Sequence, residues 1–263
     1  MRYLPHRRIP KPTRPSSPAP SYTCLSYVWG SDAGIHSIMI NGDRFEVHEN
    51  LYAFLRMLAR KRRPCAKSLW IDALCIDQTS IRERNHQVQQ MGQIYSQAKE
   101  VVVWLGEDEG IADLFRFAAT LTPFNRRSDA QNLSQYIDAI HDLFDHVYWS
   151  RAWITQELAL ASATHFTALD ASISLNTLNL LGTRLKHTYG ENMIQKMWSP
   201  IRQYQRAALR LTIFDNLLQY QNKECTDERD LVYSLLSMSR NGEKIQVNYQ
   251  CTTLELALDV LRS

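Results

Sequence analysis

No apolar run in this sequence approaches the ~18 residues that a membrane-spanning helix needs. No apolar stretch follows Met1, so a secretory signal is not expected. There is no CxxC, and the five cysteines (Cys24, Cys65, Cys75, Cys225 and Cys251) are odd in number. That argues against a disulfide framework and a zinc ribbon, and for reduced thiols in a cytoplasmic protein. The eight histidines form neither HExxH nor any paired ligand spacing, so no metal site is expected. Neither GxGxxG nor GxxxxGK[ST] occurs, which removes the signatures of dinucleotide-binding and P-loop folds.

Acid is missing from residues 1–20, which carry Arg2, Arg7, Arg8, Lys11, Arg14 and most of the prolines. Such a segment buries too little apolar surface to offset its ordering entropy, so it reads as a disordered tail. Its prolines also break the amphipathic helix of a transit peptide. The tail holds the basic excess: the chain has 30 basic and 27 acidic residues, and without the tail's five the balance turns negative. Nucleic acid is therefore not an expected partner. The cluster Arg56, Arg60, Lys61, Arg62, Arg63 and Lys67 reads as a solvated helix end, where cations suit the helix dipole.

What is present is ordinary globular composition, with 44% apolar and 22% charged residues and length enough for a large core. Tyr22 to Trp29 is β-prone. Asn41-Gly42-Asp43 between two apolar runs signals a hairpin. Asn50 is placed to cap a helix running to about Arg63, with Leu51, Phe54, Leu55 and Leu58 on one face; Pro64 stops it. Leu69 to Ile76, interrupted by Asp72, suits a buried parallel strand. Ser80 and Glu83 match a capping box before a helix whose inner face is Val88, Met91, Tyr95 and Ala98. Val101 to Leu105 is another buried strand, so residues 69–106 read as strand–helix–strand. Beyond Gly106, helices are expected near 110–120, 132–147, 150–162, 175–188, 192–222, 229–239 and 252–262, with a short strand near 164–169. The division expected is a tail over 1–20, a core over 21–163 and a helical extension over 164–263 packed on that core. The fold class is α/β: a small, mainly parallel sheet flanked by helices.

Four blocks carry a family resemblance: Leu25-Ser26-Tyr27-Val28-Trp29-Gly30; Leu69-Trp70-Ile71-Asp72-Ala73-Leu74-Cys75-Ile76-Asp77-Gln78 with Glu83-Arg84 and Gln87 to Met91; Ile94-Tyr95 with Val101 to Gly106; and Arg151-Ala152-Trp153 with Gln156-Glu157 and Ala161. In this order they resemble the fungal HET (heterokaryon incompatibility) domain, and Arg229-Asp230, Val232-Tyr233 and Leu235-Leu236 resemble the segment that often trails it. The family in turn resembles TIR domains more distantly, through Ser26-Tyr27 with Asp32 and through Ser150 to Leu158. What the resemblance implies is a TIR-like or flavodoxin-like core and a role in incompatibility and programmed cell death, a form of innate immunity. Through TIR it implies NAD+ as a substrate, with Glu157 in the place of the catalytic glutamate.

That chemistry suits the residues. Nicotinamide leaves NAD+ as a neutral ring, so no strong acid is needed, and one carboxylate can stabilise the oxocarbenium-like transition state. Tyr27, Trp29 and Trp153 would wall the ring. Gly30, Asp77 and Gln78 lie where ligands of open α/β sheets bind. Arg84 and Arg151 suit phosphates. Each residue also has a plainer explanation. Tryptophans are usually core, Asp72 reads as a buried carboxylate paired with an arginine, Asp77 and Gln78 shape a turn, and Cys75 reads as an inert thiol in an apolar strand. Three accounts stay open: an enzyme cleaving NAD+ once oligomerised, with no further cofactor; a non-enzymatic module that self-associates or recruits death-pathway partners; and a homologue with the fold but no activity.

Overall fold

In the computed structural model, residues 21–30, 34–60, 68–122, 133–189 and 211–263 are described. The expected tail, Asp32, residues 61–67 with Cys65 and the rest of the basic cluster beyond Arg56 and Arg60, and most of the expected 192–222 helix lie outside them; Arg56 pairs with Glu107 at 2.5 Å.

The β-prone run after Tyr22 becomes strand β1 (Thr23–Tyr27), buried at every position. Alternation sorts its side chains. Leu25 and Tyr27 join a cluster with Leu51, Phe54, Met57 and Trp104, whereas Cys24 joins the larger core beneath the opposite face. β1 pairs in parallel with β4 (Leu69–Trp70) on one side and β5 (Glu100–Trp104) on the other. β5 pairs in parallel with β6 (Thr164–Ala168), and β6 turns back into antiparallel β7 (Ala171–Ser174). The hairpin β2 (Ile35–Ile40) and β3 (Asp43–His48) forms a sheet of its own. Its turn residues Asn41 and Gly42 have φ of +55° and +92°, as a type I′ turn requires.

The main sheet thus runs β4-β1-β5-β6-β7. With the hairpin set aside, that is the 2-1-3-4-5 order of flavodoxin-like doubly wound sheets, with a reversed last strand. The fold is α/β with a mainly parallel five-stranded sheet, flanking helices and a helical C-terminal region. β4 and β5 carry the expected strand–helix–strand connection, but β1 lies between them. The sheet continues past residue 163 through β6 and β7.

The helices are α1 (Glu49–Arg60), α2 (Asp72–Cys75), α3 (Ile81–Gln97), α4 (Glu109–Ala118), α5 (Ile137–Phe144), α6 (Ile154–Ala159), α7 (Leu175–Tyr189), α8 (Ile213–Gln219), α9 (Asp230–Tyr233) and α10 (Thr253–Arg262). Three local expectations are corrected. The strand from Leu69 ends after two residues, because Asp72 accepts the Ala73 N–H at 2.7 Å and starts the turn α2, which leaves Cys75 exposed. Asn50 does not cap α1. Its side-chain amide donates to the Val28 carbonyl at 2.7 Å and its Oδ1 accepts Trp104 Nε1 at 2.8 Å. Ser80 caps α3 by accepting the Glu83 N–H, but the Glu83 carboxylate takes the Asp77 N–H at 3.2 Å instead of reaching back to Ser80. The expected 150–162 and 229–239 helices are each a short α-helix beside a 3-10 turn. Among the described residues no helix is long and apolar enough to cross a membrane.

Candidate functional site

β4 ends at Trp70, opposite Cys24, while neighbouring β1 runs on to Tyr27, and residues just beyond the two strands, Val28 to Gly30 and Asp72, build one side of a cleft of about 1470 Å³. Chain direction changes at Gly30, whose φ of +86° lies in the region that favours glycine. Just before it, the half-buried Trp29 donates its indole N–H to Asp72 Oδ2 at 2.8 Å. The Tyr27 hydroxyl, one layer deeper, bonds the same carboxylate. Burial pushes the Asp72 pKa up, and the Arg151 charge opposes that shift.

Arg151 lies in extended backbone ahead of α6, held there by main-chain bonds to Glu224, with Ala152 N to Glu224 O at 2.9 Å and Glu224 N to Ser150 O at 2.7 Å. Its guanidinium donates to the Tyr27 carbonyl and acts electrostatically on both Asp72 and Glu157. Two acids therefore share one arginine. Asp72 is the member on the cleft, while Glu157, only 2% exposed, lies in the core and is not among the cleft's lining residues. Glu157 accepts hydrogen bonds from Ser26 Oγ and the Tyr95 hydroxyl, and Ser26 Oγ lies 2.7 Å from Tyr148 Oη. Burial outweighs the attraction of Arg151 and pushes the Glu157 pKa up to about 7.

The opposite wall comes from far along the chain. The Arg84 guanidinium lies 3.6 Å from the centre of the Tyr249 ring. Asn85 and Gln89, on the same helix, accept the backbone N–H groups of Tyr249 at 2.9 Å and Val247 at 2.7 Å. Arg229 makes a two-pronged pair with Asp227, both bonds at 2.8 Å, and donates to the carbonyls of Tyr249 and Cys251. Asp230 takes the Tyr249 hydroxyl and the Trp153 side chain.

Of the residues singled out in the sequence, Trp29, Gly30, Gln78, Arg84, Arg151 and Trp153 come together around this cleft. Tyr27 stands behind Asp72. Asp77 holds its own turn, accepting the Thr79 N–H at 3.0 Å and the Thr79 hydroxyl at 2.6 Å. Trp104 is a core residue. Sequence reasoning missed Asp72 as a cleft residue and the whole Tyr249 wall. The signal for Asp72 was an acid interrupting an apolar run; for Tyr249 no local signal exists.

The heterokaryon incompatibility protein (HET) family matches residues 22–157. The chain belongs to this family. The match ends at Glu157, so the Tyr249 wall of the cleft lies beyond the HET-matched segment. The HET chain is also similar to heterokaryon incompatibility protein 6, OR allele, of Neurospora crassa, with 34% identity over 148 residues, 52% of this chain and 20% of the relative. It thus spans about a fifth of that relative's length. No solved structure matches it.

Proposed function

We propose that this HET domain acts in heterokaryon incompatibility and cell-death signalling by binding NAD+ in the cleft and cleaving it to nicotinamide and ADP-ribose. The observation that carries this is the position of the cleft. It opens at the carboxyl ends of β1 and β4, where open α/β sheets bind ligands, and its lining holds two half-buried indoles, Trp29 and Trp153, with the Asp72 carboxylate and the Arg151 guanidinium. The indoles of Trp29 and Trp153 suit a flat cationic ring. In the reaction the bond from ribose C1′ to the ring nitrogen breaks, and its electron pair neutralises the nicotinamide. Water then adds to C1′ and gives up a proton. A carboxylate stabilises the oxocarbenium-like state between.

The test is nicotinamide release by the purified chain at high concentration and after artificial clustering, wild type against Trp153→Ala. Release that falls at least tenfold in a folded variant supports the reading, and no release from soluble, clustered wild type sinks it.

A second reading rests on α10. Leu256 and Val260 face the core, while Leu254, Leu258 and Leu261 are 69%, 41% and 72% exposed, and α8 exposes Phe214 and Leu218. Apolar stripes of this kind mark contact surfaces, and they suit a domain that works by self-association without turnover. Sedimentation of wild type against Leu254→Asp and Leu261→Asp tests it: equal sedimentation of all three at every concentration removes this reading.

A further inference from the structure

We infer that Asp72, not Glu157, is the carboxylate that meets the ribose of the bound nucleotide, and that Glu157 is a positioning residue acting through Arg151. The inference rests on the NAD+ reading and deepens it.

Asp72 lines the cleft at the exit of β4, beside the exit of β1. It is also fixed in place. Oδ1 accepts the Ala73 N–H at 2.7 Å, and Oδ2 accepts the Trp29 indole at 2.8 Å. The Tyr27 hydroxyl is a third donor; a carboxylate offers about four acceptor sites, so these donors orient it and leave one for a ribose hydroxyl, and its charge for a developing positive charge. The other acids of the cleft are engaged elsewhere. Asp227 is held by Arg229 and lies 3.9 Å from Arg84, Asp230 takes Tyr249 and Trp153, and Glu224 accepts the Ser150 hydroxyl at 2.8 Å. Glu228 is exposed to solvent.

Glu157 has the opposite surroundings. It is closed off by Ser26, Tyr95 and Arg151, inside the core. From there it acts on the cleft through its charge, felt by Arg151 and by Asp72, while the Arg151 guanidinium is anchored on the Tyr27 carbonyl. Its charge attracts Arg151 from the core side, as Asp72 does from the cleft side.

The experiment measures kcat and KM for NAD+ in the full chain for wild type, Asp72→Asn, Asp72→Glu and Glu157→Gln, with folding checked by circular dichroism. Removing a preorganised charge from a transition state costs ~10²–10³-fold in kcat, and that loss is expected for D72N at little change in KM. D72E keeps the charge but moves it by a methylene, and should stay at least tenfold below wild type. E157Q should keep kcat within tenfold and raise KM. Turnover surviving in folded D72N, or abolished in folded E157Q, overturns the inference. Absence of turnover in clustered wild type, with or without calorimetric NAD+ binding, removes the NAD+-cleavage reading itself, and the inference with it. If D72N fails to fold, Tyr27→Phe removes only a hydroxyl that bonds the Asp72 carboxylate from behind; a tenfold lower kcat supports the inference, and an unchanged kcat overturns it.

Discussion

Arg84 on α3 stacks on the ring of Tyr249, 3.6 Å from guanidinium to ring centre, across a sequence gap that closes only in the folded chain. Around it, Asn85 and Gln89 accept the backbone N–H groups of Tyr249 and Val247, and Asp230 takes the Tyr249 hydroxyl. Tyr249→Leu removes both the stack and the hydroxyl and is expected to cost about 2 kcal/mol, from the cation–π loss and one of the hydrogen bonds to the half-buried Asp230, which keeps Trp153. Urea unfolding measures the cost. Hydrogen exchange should show faster opening of the Val247 and Tyr249 amides while those of β5 stay protected. Uniform exchange across the chain would contradict this.

Asn50 ties the exits of β1 and β5 by donating to the Val28 carbonyl and accepting the Trp104 indole. Asn50→Ala removes that bond to the Val28 carbonyl and leaves Trp104 Nε1 only a 3.2 Å contact with the Asn50 carbonyl. The expected cost is about 2 kcal/mol. Asn50→Asp keeps the acceptor for Trp104 but loses the donor to Val28, and should fall between the two in urea unfolding.

The buried carboxylates set a pH dependence of stability. Glu157 titrates at about 7 in the folded chain against an ordinary 4.5, so the folded state holds its proton more tightly than the unfolded chain does. Its contribution is complete below about pH 4.5 and is lost as pH rises through about 7. Asp72 is shifted in the same direction by burial. Glu157→Gln keeps the shape without a titrating charge. Its stability relative to wild type should therefore climb across that window, by on the order of 3 kcal/mol. Melting curves for both proteins at a series of pH values check this, and parallel profiles would refute it.

Gly92 lets α3 approach the 3-10 turn Leu236–Met238: a Cβ built there would lie 2.1 Å from Ser237 Oγ and 2.2 Å from Ser237 Cβ. Gly92→Ala is expected to cost about 2 kcal/mol by overpacking. Adding Ser237→Gly should recover most of it. A double-mutant cycle reads the coupling directly; strict additivity would mean that the turn simply moves aside.

Much of this architecture was legible in local pattern. Asn41-Gly42 announced the hairpin, the 3.6-residue spacing of Val88, Met91 and Tyr95 announced the inner face of α3, and the valine run announced β5. The errors share a physical origin. Asn50 looks like a helix cap because its neighbours in sequence allow it, but its partners Val28 and Trp104 come from distant strands. Leu69 to Ile76 looks like a long strand because its residues are apolar, but β4 pairs on one side only and yields to the turn that Asp72 begins. The site was half visible for the same reason. Residues on the β1 and β4 side lie in recognisable blocks, whereas Asn85 and Tyr249 are 164 residues apart and no periodicity connects them.

β1 is the central partner of both β4 and β5, yet it is made before either of them. Thr23 meets Glu100 only after 77 further residues have been added. At ~5–20 residues per second a ribosome takes roughly 4–15 s to do so. For that interval the strand that will become the most enclosed part of the sheet leaves the translation machinery as an unpaired apolar edge. Shielding of Leu25 and Tyr27 then falls to molecular chaperones, and the domain's yield in the cell should depend on them more than its finished stability would suggest.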